Sequence, residues 1–73
     1  MNEQNLILKK AVYLKSESIM CHVKTNKSIF YNGFIREIDY PDHLILEDRF
    51  LGRIPIYFEE IESIELYKVR GKS

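Results

Sequence analysis

The chain has 73 residues, with Lys+Arg and Asp+Glu both at 11 and a formal net charge of zero. One small domain, 1–73, is all that length holds, and zero net charge argues against a dedicated non-specific nucleic-acid binder, though a local patch or central pore can still be positive. A single cysteine, Cys21, excludes an internal disulfide, and no Cys-x-x-Cys or His-rich spacing points to a metal or cofactor.

Leu6, Ile7, Leu8, Ala11, Val12 and Leu14 fit one broad apolar face of a helix over about 3–15, with Lys9 and Lys10 opposite and Asn2 as a cap. A strand over Ala11–Leu14 is the competing reading. Ser16-Glu17-Ser18 ends the pattern. Ile19 to Lys24 alternates as a first strand, with Ile19, Cys21 and Val23 inward. Thr25-Asn26-Lys27-Ser28 is a turn cluster. Ile29 to Ile38 is a second strand, with Tyr31, Gly33 and Ile35 on one face and Phe30, Asn32 and Phe34 on the other. Gly33 inside it predicts a bulge or bend. Asp39-Tyr40-Pro41-Asp42 turns the chain into a third strand, His43 to Asp48, with Leu44 and Leu46 inward. Arg49-Phe50-Leu51-Gly52 is the next turn. Ile54, Ile56 and Phe58 alternate as a fourth strand, Glu59-Glu60 connects, and Ile61, Ile64 and Leu66 anchor a fifth strand with an irregularity near Ser63. Residues 68–73 form a basic tail, expected to be mobile. The expected fold is therefore mainly β: an N-terminal helix, then five short antiparallel strands in a small, strongly bent barrel.

So small a core often leans on a disulfide, a metal or other copies of the chain. The first two lack residues here, so self-association is the expected support. No apolar run is long enough to span a membrane, and no signal peptide opens the chain. The unpaired cysteine fits a reducing cytoplasm.

The run from Gly33 to Asp48 resembles the first motif of the Sm/LSm family. Gly33, Ile35, Ile38 and Asp39 match the motif's glycine, apolar residues and aspartate, and Leu44, Leu46 and Glu47 continue it. His43 stands where asparagine is usual, and Asp42 where an apolar residue is usual. Ile54 to Ile61 matches the apolar frame of the second motif, but Tyr57-Phe58 replaces its Arg-Gly pair. The resemblance implies an Sm-like fold, a homo-oligomeric ring (hexamer or heptamer) joined through the fourth strand of one subunit and the fifth of the next, and single-stranded RNA as ligand. The two replacements remove the residues that build the family's uridine pocket, so an altered base preference is expected. Other small five-stranded barrels share the apolar spacing.

Tyr40, His43 and Tyr57 are candidates to stack on and hydrogen-bond a base; packing tyrosines and a turn histidine are the plainer alternative. Asp39 either orients the turn or meets ligand. Arg53, with Arg49, Lys68, Arg70 and Lys72, is a candidate phosphate contact. Phe30, Phe34 and Phe50 exceed what one core this size buries. They mark a protein interface unless the helix covers them. Pro55 removes one backbone donor near the expected seam. Asp42, Glu47 and Asp48 have the chemistry to bind a cation, and a solvated acidic rim is the plainer reading. No catalytic constellation is present: Cys21 and His22 are neighbours on a strand and face opposite ways. The alternative function is a protein-interaction or assembly module with no nucleic-acid role.

Overall fold

The computed structural model of the chain describes residues 3–68. Asn2 and the tail beyond Lys68 lie outside that range.

Helix α1 runs from Glu3 to Ser16. Its buried stripe is Ile7, Ala11 and Leu14, spaced i, i+4, i+7, with Leu8 partly buried beside it. Leu6 and Val12 are about half exposed, so the apolar face is narrower than the sequence suggests. The helix closes in a Schellman arrangement. The Ile19 N–H donates to the Leu14 carbonyl at 3.0 Å, and the Ser18 N–H to that of Lys15 at 3.1 Å. Ser18 takes the left-handed conformation (φ 55°) that glycine usually supplies. Ile19 thereby packs on the core as the closing residue of the helix, and strand β1 begins at Cys21 rather than at Ile19.

The strands are β1 Cys21–Thr25, β2 Phe30–Asp39, β3 His43–Asp48, β4 Gly52–Tyr57 and β5 Ile61–Leu66. All pairings are antiparallel, in the order β4-β3-β2-β1-β5. The core is the inner face of this sheet closed by α1: Cys21, Val23, Ile35, Leu44, Leu46, Ile56, Ile61 and Ile64 meet Ile7, Ala11 and Leu14. Phe58, expected in the fourth strand, instead opens a 3-10 turn (Phe58–Glu60) and is 1% exposed. It is the largest side chain that the core encloses fully.

Gly33 is required by space. A Cβ there would collide with the Glu47 carbonyl oxygen and lie 2.9 Å from the Asp48 Cα. The register shift in β2 falls between Ile35 and Glu37, further along than Gly33. The irregularity expected near Ser63 is present: β1 and β5 shift register between Lys24↔Ser63 and Thr25↔Ile61. Gly52 has φ 81° and supplies the left-handed residue that closes the β3–β4 turn.

Asp48 is not part of a solvated rim. It is 7% exposed, and its carboxylate accepts the backbone N–H groups of Asn32 (3.1 Å), Phe50 (2.8 Å) and Leu51 (2.9 Å). It ties β2 to the β3–β4 turn. Phe30 and Phe50 are not covered by the helix: they are 52% and 83% exposed. Among the described residues, no helix is long and apolar enough to cross a membrane.

Candidate functional site

The antiparallel register brings three of the sequence-predicted residues into one row. Asp39 on β2 pairs with His43 on β3, and His43 pairs with Tyr57 on β4. These are end rungs of their ladders, so the row lies at the end of the sheet marked by the Asp39–Asp42 turn. The His43 and Tyr57 rings meet edge to face, with centroids 6.0 Å apart. The Asp42 carboxylate accepts from His43 Nδ1 at 2.7 Å. That contact fixes the ring and leaves Nε2 as an acceptor when the imidazole is neutral. Tyr40 sits on the turn itself. Its ring packs edge-on against buried Phe58 at 5.1 Å, yet a third of the residue remains exposed.

Arg53 is not brought into that row. It stands four residues before Tyr57 on β4, about 13 Å along the strand at the usual rise, and its guanidinium donates to Glu37 Oε2 at 3.3 Å. What the row offers a ligand is one partly exposed tyrosine, an oriented imidazole and an exposed aspartate, with Tyr40 on the adjoining turn. Aromatic faces flanked by a few polar atoms suit a planar base better than they suit bond-breaking chemistry.

A second group of exposed rings lies on the outer face of β1 and β2. His22 stacks on Phe30 with centroids 5.1 Å apart and planes 17° from parallel. Its Nδ1 is 2.6 Å from Asn32 Oδ1. Lys24 lies 5.9 Å from the same Phe30 ring. Nearby, the Arg49 guanidinium lies against two rings, 5.1 Å from Phe50 and 5.0 Å from Tyr67, and Arg36 lies 5.2 Å from Phe34. An open hollow of about 650 Å³ adjoins this face, lined by His22, Glu65, Leu66, Tyr67 and Lys68. Each phenylalanine noted as surplus to the core thus carries a cation on its face. The grouping of His22 with Phe30 and Asn32 was missed from the sequence. The hairpin register makes it: five residues, Thr25 to Ile29, separate Lys24 from its partner Phe30, one more than the Thr25–Ser28 turn cluster, and that count sets His22 opposite Asn32.

Cys21 offers no nucleophile. It is fully buried, its Sγ–H donates to the Ile19 carbonyl at 3.4 Å, and burial pushes its pKa up to about 11. His22 points to the outer face. Among the described residues, no group of three His, Cys, Asp or Glu side chains converges to hold a metal.

An N-terminal helix closing five antiparallel strands in the order β4-β3-β2-β1-β5 is an Sm-like fold. No family description and no curated protein sequence matches the chain. Among solved structures, the chain is similar to Hfq, described as a pleiotropic translational regulator. The TM-score is 0.74, with 18% identity over 92% of this chain and 98% of that one. At that identity the likeness is one of fold.

Proposed function

We propose that the chain is a non-enzymatic RNA-binding protein whose identical copies assemble into a ring and hold single-stranded RNA. The observation that carries this reading is the Asp39–His43–Tyr57 row on an Sm-like frame, with Tyr40 beside it. Stacking on Tyr57 and Tyr40 supplies affinity for any base, and His43 Nε2 and Asp39 supply polar contacts to a base edge. Repetition of the site around a ring multiplies weak contacts into useful avidity. Arg53 lies too far from the row to share one nucleotide with it and serves a neighbouring phosphate. His43 and Tyr57 stand where the Sm/LSm motifs have asparagine and arginine, so the base preference departs from uridine.

Filter binding with oligo-U, oligo-A and mixed RNA at several salt concentrations tests this. The expected result is salt-sensitive binding without strong selection for oligo-U, weakened about tenfold or more by Tyr57→Ala. Absence of any salt-sensitive affinity would sink the reading. One observation favours a second reading, an assembly module without RNA: Phe50 and Leu51 at the β3–β4 turn are 83% and 65% exposed. A protein partner recovered by pull-down, together with no RNA affinity, would select it.

A further inference from the structure

The sheet ends on two strands of equal length, β4 and β5, each six residues. The hydrogen-bond phase says which groups face outward. The Phe58 N–H donates to the Asp42 carbonyl at 3.0 Å. Counting along the β3–β4 register, Ile56, Ile54 and Gly52 therefore turn their backbone groups toward β3, whereas Tyr57, Pro55 and Arg53 turn theirs to the free edge. Proline fits this phase, because it has no N–H to give β3. On the other side, the Tyr67 N–H donates to the Met20 carbonyl at 2.9 Å, which leaves Leu66 and Ile64 facing the free edge of β5.

The edges differ in charge. β4 carries Arg53 and no acid, while β5 carries Glu62 and Glu65 and no base. Antiparallel pairing of β5 with a second β5 about its midpoint sets Glu62 opposite Glu65, and pairing β4 with a second β4 offers Arg53 no acid; β4 against β5 avoids the first and supplies the second. The pairs these groups make within the chain (Arg53–Glu37 at 3.3 Å, Glu65–Lys10 at 3.1 Å, Glu62–Lys24 at 3.6 Å) are exposed and weakly held, so they can be exchanged.

We propose that Pro55 limits self-assembly. It occupies the middle of the β4 edge's outward row and removes the central donor, so β5 of the next copy meets N–H groups at Arg53 and Tyr57 alone. One carbonyl of that β5 is left without a partner. The seam between copies forms, but short of one hydrogen bond, and the assembly exchanges subunits. This rests on the self-association read above, and it names the residue that sets how tightly the copies hold.

The test is absolute mass by light scattering across a wide dilution series for the full chain and for Pro55→Val. Pro55 is exposed and valine favours strands, so the variant should fold; circular dichroism checks that it does. Pro55→Val is expected to stay assembled at about five- to tenfold lower concentration per seam, the worth of one restored hydrogen bond. Arg53→Glu is expected to loosen the assembly, and Glu62→Lys with Glu65→Lys in the same chain to restore it. Equal dissociation of a folded Pro55→Val and the natural chain would overturn the proposal while leaving the ring reading intact. A natural chain that is always a single copy, beside a Pro55→Val chain that assembles, would support the role of Pro55 and remove the ring. Single copies in both would remove both.

Discussion

Two residues show why position, not residue type, decides what a substitution costs. At Gly33 the obstacle is backbone: a methyl group there meets the Glu47 carbonyl and the Asp48 Cα, neither of which can swing aside. Gly33→Ala is expected to lose about 3 kcal/mol or more, because the β2–β3 ladder must part. Gly52→Ala faces open space and strains only its own backbone at φ 81°, at about 1 kcal/mol. Urea unfolding of the two variants checks the ranking. Asp48 is the other case. Burial alone would raise its pKa, but three backbone N–H donors and the nearby Arg49 overcome that and hold it below the ordinary 3.8. A carboxyl held low when folded stabilises fully above its unfolded pKa, and that stability is lost as pH falls through the folded value. Asp48→Asn is expected to cost about 1–3 kcal/mol at neutral pH and to flatten the decline in stability as pH falls through and below the ordinary carboxylate range. Identical acid profiles for the two chains would refute the assignment.

The elements were legible in the sequence wherever the period was clean. The helix, the five strands and the inward pairs Cys21/Val23 and Leu44/Leu46 all follow from spacing. What spacing blurs is width. Leu6, Val12 and Leu14 all read as one face of α1, yet only Leu14 is buried, because the sheet beneath offers room for a single i, i+4, i+7 stripe. Leu14→Ala is expected to cost about 2–4 kcal/mol, and Val12→Ala to stay within about 0.5 kcal/mol. Comparable losses from both would mean that the helix presents its wider face to the core. The row Asp39–His43–Tyr57 was half legible: His43 and Tyr57 were grouped with Tyr40 as one site, but the place of Asp39 beside them needed the register of two ladders. Arg53 illustrates the converse, a residue of suitable chemistry on the same strand as Tyr57 that the register sets opposite Glu47, away from the row. Asp48 was misread because an acid at a strand end looks the same in sequence whether it is solvated or binds three amides.

At the scale of the whole molecule, stability turns on the two sheet edges and the exposed rings. A domain of this length buries only about 60% of its unfolded surface and is marginal alone. This one also leaves Phe50, Leu51 and Phe30 uncovered and ends its sheet on the unlike edges of β4 and β5. If folded copies associate and unfolded ones do not, association adds to stability by mass action, and the melting temperature must depend on concentration. A hundredfold rise in concentration above the assembly threshold is expected to lift the melting temperature by about 5–15 °C, given how steeply a domain of this size responds to each added kcal/mol. Differential scanning calorimetry across such a range reads this without labels or RNA. Single-stranded RNA added at fixed protein concentration should raise the melting temperature again, since a ligand that binds only the folded form acts through the same linkage. A melting temperature unmoved by concentration would assign the exposed rings to a partner other than a second copy. A shift with concentration but none with RNA would leave assembly standing and take RNA away from the Asp39–His43–Tyr57 row.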